Sequence, residues 1–160
     1  MTGTAVSFTL LPFDYAHLPE LADLWIVAWQ KAMPSIDFEA RRGWFVDRVI
    51  ALNDGGTDMR LAFDASTGTM AGFVTLDRGS GHVDQLAVAP AYWGTQCARG
   101  LLAWARDAVR QGGGGRLFLD VNQDNPRAVR LYEREGFVRM GEGTNPQSGL
   151  KTWRYAWREA

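Results

Sequence analysis

The residues from Val83 to Leu102 have types and spacing suited to holding a phosphorylated ligand. Leu86–Val88 ends an apolar strand pattern, and a run of small residues around Gly94 leads into a helical pattern. Such a strand-to-helix turn brings unpaired backbone N–H groups and the positive end of the helix dipole together, and small residues leave room for a pyrophosphate. An ordinary loop has the same pattern, so this segment alone leaves both interpretations open.

A second segment, which contains Tyr132, is predicted to form the helix with the clearest sequence signals. Asn125 suits the N-cap, Pro126 the first helical position and Gly136 the C-cap. Tyr132 shares one face of this helix with Ala128 and Leu131, which fits an amphipathic tyrosine of the core.

His82 and Asp84 are candidates for a base. They lie two residues apart in a predicted strand that ends at Val88, and side chains at this spacing share one face. An imidazole suits proton transfer near neutral pH, whereas Asp84 acts directly only if burial raises its pKa, and otherwise through water. We rank Asp84 first because it lies deeper in the strand. A surface role for both stays open, since a glycine-rich turn precedes them.

Composition excludes several other classes of protein. The 160 residues carry a net charge of −1 and 46% hydrophobic residues, which predicts a single domain over residues 1–160 with its own core. The single cysteine, Cys97, excludes an internal disulfide, and with His17 and His82 it forms no metal-binding pattern. Without a leader, a bilayer-spanning run or a basic surface, we expect a cytoplasmic protein that binds neither membrane nor nucleic acid.

Periodicity predicts an α+β protein. A strand at Ser7–Leu11 precedes two helices, the second beginning near Asp37, and the hairpin Leu61–Leu76 follows. The remaining elements, in order, are a strand at Val83–Val88, a helix whose buried face includes Leu101 and Val109, a strand at Leu117–Val121, the Asn125 helix, and a closing pair at Phe137–Met140 and Trp153–Trp157.

With these elements in place, the chain resembles the GNAT superfamily of N-acetyltransferases. Leu86-Ala87-Val88 followed by Pro90, Tyr92, Gly94, Ala98 and Leu101-Leu102 is similar to the family's acetyl-CoA motif, R/Q-x-x-G-x-G/A, and Asn125–Phe137 resembles the motif that follows it. Trp93 stands where Arg or Gln is usual, and Gln96 where the first glycine is usual. The resemblance implies a GNAT-like three-layer α+β fold, with a mixed, mostly antiparallel sheet of about seven strands and about four flanking helices.

The resemblance also implies roles for individual residues. Tyr132 matches the family's acid, and His82 or Asp84 its base. The pantetheine arm of acetyl-CoA pairs with a strand that splays from its neighbour, and a backbone N–H there polarises the thioester carbonyl. The residues expected to bind acetyl-CoA are Leu86, Ala87, Val88, Trp93, Gly94, Thr95, Gln96, Cys97, Ala98, Arg99, Asn125 and Arg127.

The function expected from this resemblance is transfer of acetyl from acetyl-CoA directly to a primary amine of a small molecule, peptide or protein. Trp25 and Trp29 lie where the acceptor would bind, although their shared apolar face also fits a core role. A catalytically inactive CoA-binding sensor is the alternative, motivated by Trp93 and Gln96. A homodimer is possible, with the apolar strand Trp153–Trp157 contributing to its edge.

Overall fold

A computed structural model describes residues 5–159 of the chain. It contains seven strands and four α-helices, with short 3₁₀ turns before α1, α2 and α3. In chain order the elements are β1 (Phe8–Pro12), α1 (Leu18–Ala32), α2 (Arg42–Asp54), β2 (Asp58–Asp64), β3 (Met70–Leu76), β4 (Leu86–Val88), α3 (Cys97–Gln111), β5 (Arg116–Asn122), α4 (Pro126–Arg134), β6 (Val138–Thr144) and β7 (Lys151–Arg158).

Helices cover both faces of the strands, which gives the three predicted layers. On one face, Leu21 and Trp25 of α1 and Phe45 of α2 pack with Phe73 of β3 in one buried cluster. The stripe of α3 predicted to be apolar is buried in a second cluster on the other face, together with Tyr132 of α4. The apolar spacing of α1, α3 and α4 therefore determines which side of each faces the sheet.

The strands form two antiparallel groups, ordered β1-β2-β3-β4 and β5-β7-β6. The groups join where His82 forms a parallel bridge with Phe118. Val83 N donates to Phe118 O at 2.9 Å, and Phe118 N donates to Gly81 O at 3.0 Å. Within residues 5–159 no other pairing joins β4 to β5, so the two strands separate beyond this joint. The expectation of a mixed, mostly antiparallel α+β fold is confirmed.

Gly72 of β3 explains how α3 approaches the sheet so closely. A Cβ at this position would lie 2.8 Å from Ala87 O and 3.0 Å from Cys97 Sγ. Any larger residue would therefore push the first turn of α3 away from β4. The glycine fixes the distance between the two parts of the predicted phosphate-binding turn.

Two predictions about strands are wrong. The strand predicted at Val83–Val88 contains only Leu86–Val88, because the backbone N–H groups of Asp84 and Gln85 both donate to Thr75 Oγ1 and interrupt the ladder. His82 and Asp84 therefore do not share the face of a regular strand.

The strand containing Trp153–Trp157 is not an edge, because β7 pairs with β5 on one side and β6 on the other. The exposed edge of this group is β6, where Val138 and Met140 are 63% and 65% exposed. Among the described residues, no helix combines the length and apolar character needed to cross a membrane.

Candidate active site

A cavity of about 550 Å³ lies where β4 and β5 separate. Helix α4 borders it on one side, and α1 and α2 border it on the other. Ten of the residues predicted from the sequence line it: His82, Asp84, Leu86, Ala87, Val88, Trp93, Asn125, Arg127, Tyr132 and Trp29. The residues of the turn Gly94–Arg99 and Trp25 do not line this cavity.

The backbone of β4 presents hydrogen-bonding groups to the cavity. Ala89 N donates to Ala71 O, and Gln85 O accepts from Thr75 N. Because backbone groups alternate in direction along an antiparallel strand, the N–H and C=O groups of Leu86 and Val88 point away from β3, toward the gap. They form a short edge inside the protein that pairs with no other strand in the described structure.

Trp93 changes the edge that an extended ligand would meet. Its Nε1 donates to Val88 O at 2.8 Å, so that carbonyl already has a partner. The guanidinium carbon of Arg127 lies 3.7 Å from the centroid of a Trp93 ring, close enough for a cation–π interaction. This stack connects the turn before α3 to the first turn of α4 at the edge of the cavity.

The turn that leads into α3 keeps free backbone donors. Gly94 has a φ of +79°, and no atom lies within 4 Å of a Cβ placed there. The N–H groups of Ala98 and Arg99, in the first turn of α3, donate to no acceptor among residues 5–159. Gln96, where a glycine is usual, is exposed just before α3 and leaves these donors uncovered. These groups suit an anion.

The other side chains of this turn face elsewhere. Cys97 is buried, and burial raises the pKa of its thiol to about 12, so it is no nucleophile at neutral pH. Thr95 Oγ1 donates to Tyr92 O at 2.6 Å. The Arg99 guanidinium pairs with Glu135 at 3.1 Å. The groups of this turn that are free to meet an anion are therefore backbone N–H groups.

Asp64, the last residue of β2, contacts the segment that leads into this turn through a side-chain hydrogen bond. Its carboxylate accepts a 2.8 Å hydrogen bond from the Tyr92 hydroxyl. Hydrogen bonds from the Ser66 backbone, from Tyr92 and from the Ser66 hydroxyl lower the pKa of Asp64 to about 2. The carboxylate therefore stays ionised at neutral pH, and the bond to Tyr92 is charge-assisted.

Tyr132 and Asn125 place polar groups on the α4 side of the cavity. Tyr132 is 7% exposed, and burial raises its pKa above the ordinary value while the charge of Arg127 opposes that shift. The phenol therefore keeps its proton at neutral pH. Asn125 is buried, and its Oδ1 accepts from Ala128 N at 3.3 Å, which confirms the predicted N-cap. Its amide nitrogen donates to no acceptor within residues 5–159.

Asp84 does not meet the condition for a direct base. Burial alone raises its pKa, but hydrogen bonds and charge from Arg48 outweigh burial, and the pKa lies below its ordinary value. Arg48 Nη2 lies 2.5 Å from Asp84 Oδ1 and Nε lies 3.2 Å from Oδ2. His82, half-buried and stacked on Phe118 with centroids 4.8 Å apart, lines the same cavity.

Aromatic side chains form the α1 and α2 wall. Trp25 is 4% exposed and stacks on Phe45, with centroids 4.5 Å apart, which fits a core role. Trp29 and Trp44 line the main cavity and also a recess of about 70 Å³ beside it. Trp25 reaches only that recess. The two tryptophans predicted for the acceptor site therefore differ in their access to it.

Sequence reasoning missed several polar residues of the site, among them Arg48, Gln85 and Asn122. Arg48 lies four residues after Trp44 on α2, so the two share a face, and this spacing was a usable signal. Gln85 Oε1 accepts from Trp25 Nε1 at 3.3 Å and its Nε2 donates to Asp84. Asn122 ends β5, and its Oδ1 is buried without a partner in the described structure.

Comparison with known proteins indicates the family of this chain. Residues 18–137 match the model of the acetyltransferase (GNAT) family. Streptothricin acetyltransferase of Streptomyces lavendulae is 32% identical over 46% of this chain and 41% of its own length. The N-alpha-acetyltransferase RimI of Mycobacterium tuberculosis is 35% identical over 48% of this chain and 50% of its own length. The aligned part thus spans half or less of each of these curated relatives.

Solved structures agree over nearly the whole chain. A GCN5-related N-acetyltransferase from Rhodopseudomonas palustris has a TM-score of 0.80 at 18% identity, covering 99% of both chains. The PaiA N-acetyltransferase of Thermoplasma acidophilum, solved with coenzyme A, has a TM-score of 0.77 at 16% identity, covering 96% of this chain and 99% of its own. These likenesses show the fold. With the match of the family model to three quarters of the sequence, they show that the chain belongs to the acetyltransferase (GNAT) family.

Proposed function

We propose that this chain is a single-domain enzyme that transfers the acetyl group of acetyl-CoA directly to a primary amine. The observation that carries the proposal is the placement of the buried Tyr132 in the same cavity as the edge of β4 that pairs with no other strand in the described structure. A strand edge suits the amide-containing arm of CoA, and a phenol that keeps its proton suits a departing thiolate.

The residues present fit acetyl-CoA. The free N–H groups of Ala98 and Arg99 and the open position at Gly94 suit the pyrophosphate, and Leu86 and Val88 supply the backbone edge. Arg127 adds a positive charge beside the cavity. When bound, acetyl-CoA supplies the acetyl group as an activated thioester. In this proposal, as in the sequence-based prediction, Leu86–Val88 and Arg127 bind acetyl-CoA.

His82 is the better candidate for removing a proton from the amine. Arg48 holds Asp84 ionised and engaged, so its carboxylate is a weak base near neutral pH. An imidazole is suited to this task by type. In this proposal Asp84 orients Arg48 and Gln85, and His82 accepts the proton directly or through water.

The pH dependence of the rate separates these two candidates. A base must be deprotonated, so kcat/KM for the neutral amine falls as pH drops through the pKa of the base. A carboxylate with a lowered pKa gives an acid limb at lower pH than an imidazole base does, because an imidazole by type exchanges its proton closer to neutral pH. We expect the higher limb in the parent protein and its loss in His82→Gln. An unchanged limb in that variant, with Asp84→Asn shifting it instead, would restore Asp84 as the base.

Turnover distinguishes the enzyme from a CoA-binding sensor. The relatives differ in the acceptors that their names indicate, streptothricin in one and an α-amino group in the other. We therefore expect free CoA, detected with a thiol reagent, to accumulate with at least one member of a panel of small amines and peptide N-termini. Calorimetry of acetyl-CoA binding is the companion measurement. Tight binding without thiol release for any amine would favour the sensor.

The predicted homodimer stays a prediction. Because β7 is central, the edge of its own group that is available for pairing between two copies is β6, whose seven residues are all exposed. Sedimentation at several protein concentrations measures whether a dimer forms.

A further inference from the structure

We infer that the acceptor is a small primary amine with a flat apolar body and a carboxylate at the end away from the amine. This inference rests on the proposed acetyl transfer and concerns the side of the site opposite the donor. It follows from the shape of the acceptor side, from its aromatic wall and from its unbalanced positive charge.

The acceptor side continues beyond the main cavity into the recess of about 70 Å³. The two spaces share six wall residues, so an acceptor can extend from one into the other. These shared residues are Trp29, Trp44, Gln85, Asn122, Asn145 and Gln147. The amine end belongs in the main cavity, beside β4 and Tyr132, and the rest of the molecule extends toward the recess.

The recess has flat aromatic walls. Trp29 stacks on Phe38 with centroids 5.7 Å apart, and Trp25 lies 6.0 Å from Trp44. All four rings line the recess. These spacings show that the rings pack on one another to build the wall. A flat apolar body placed against such a wall gains both buried area and ring contacts. Amide groups of Gln85, Asn122, Asn145 and Gln147 lie among the rings without adding net charge.

The carboxylates on this side of the site are already neutralised. Asp84 is paired with Arg48 at 2.5 Å, and Asp120 is paired with Arg154 at 3.0 Å. No Asp or Glu from the described part of the chain lines the recess itself. A polycationic acceptor would therefore meet no free carboxylate there, and burying its second ammonium group would be unfavourable.

Arg41 supplies the opposite charge at the recess. It lies over the Phe38 ring, 5.5 Å from the centroid, and lines the recess. Its neighbour Arg42 pairs with both Asp23 and Glu39, whereas Arg41 has no carboxylate partner within residues 5–159. A half-buried guanidinium without a partner is suited to a carboxylate, which it can bind through two parallel hydrogen bonds.

A matched set of acceptors tests this charge preference. The set is para-(aminomethyl)benzoate, the corresponding carboxamide and para-xylylenediamine, which share one ring and one aminomethyl group. We expect kcat/KM for the carboxylate to exceed that for the carboxamide by about tenfold, because a hydrogen bond to a charged group is stronger than a neutral one and solvent screens part of that difference. The diamine should be the poorest acceptor of the three.

Variants of Arg41 locate the preference. In Arg41→Gln the ratio of carboxylate to carboxamide should fall to about one, and Arg41→Lys should recover part of it. Lys31→Gln is the matched control, because Lys31 is an exposed cation of α1 that lines neither space. A ratio that Arg41→Gln leaves unchanged, or a preference for the diamine, would overturn the inference while leaving acetyl transfer intact. CoA bound without turnover on any amine would instead overturn the proposed function and the inference that rests on it.

Discussion

Replacing Tyr132 with Phe is expected to lower kcat by about 10²- to 10⁴-fold, the range that a general acid contributes. The substitution removes only the hydroxyl, so the buried ring keeps its contact with Phe137, whose centroid lies 5.6 Å away. The dissociation constant for acetyl-CoA, measured by calorimetry, should stay unchanged. Burial raises the pKa of Tyr132 above its ordinary value of about 10, so the parent enzyme should keep its acid throughout the neutral range.

A second tyrosine provides the control for this measurement. Tyr15 is 49% exposed, and its hydroxyl bonds to Asp54, away from the cavity. Tyr15→Phe should therefore leave both kcat and CoA binding at the parent values. If Tyr132→Phe also keeps the parent kcat while folding normally, the hydroxyl has no part in proton transfer, and water becomes the acid.

The helix that carries Tyr132 shows how far local signals reach. Its start and its buried face were predictable, and its end was predictable to within one residue, since the C-cap is Glu135 and Gly136 follows it with a φ of +89°. Asn125, Pro126 and Gly136 act through their own backbone preferences. The face containing Tyr132 follows from helical periodicity alone. The order of strands and helices was predictable in a similar way, because the apolar residues of each element repeat with the spacing of either a helix or a strand.

The charge network of the site was not predictable in this way. Asp84 and Arg48 are 36 residues apart, and nothing in the local sequence of either indicates the other. Their pairing reverses the pKa shift that burial alone gives to Asp84. The predicted strand is interrupted before Leu86 for a similar reason. The hydroxyl of Thr75, on β3, accepts hydrogen bonds from two backbone N–H groups of this segment. Both features arise only when the folded chain brings α2 and β3 into contact with Asp84 and Gln85.

The central strand position of β7 also required tertiary information. Trp153–Trp157 is apolar enough for a core strand or for an interface edge, and periodicity does not separate these. Strand β7 lies between β5 and β6, so its backbone groups form hydrogen bonds on both sides. An apolar strand therefore indicates burial without indicating which element covers it.

Gly81 holds the joint from which the cavity opens. Its carbonyl accepts from Phe118 N, and its φ is +83°, which L side chains rarely adopt. A Cβ placed on Gly81 would lie 2.1 Å from Arg116 O, a backbone atom that no side-chain rotation can move away. The two groups of strands meet here at van der Waals distance, and only glycine fits between them.

Gly81→Ala is therefore expected to lower the free energy of unfolding by about 3–5 kcal/mol, through the left-handed strain and the backbone clash together. Gly56→Ala is the matched control, since Gly56 has a φ of +88° but no atom within 4 Å of its Cβ, and it should lose only about 1–2 kcal/mol. Urea unfolding followed by circular dichroism measures both values. Because Gly81 also sets where β4 leaves β5, any folded Gly81→Ala protein should bind acetyl-CoA more weakly, whereas Gly56→Ala should bind it normally. Equal losses of stability in the two variants would show that the sheets accommodate a methyl group at the joint, and that the gap between β4 and β5 does not depend on this contact.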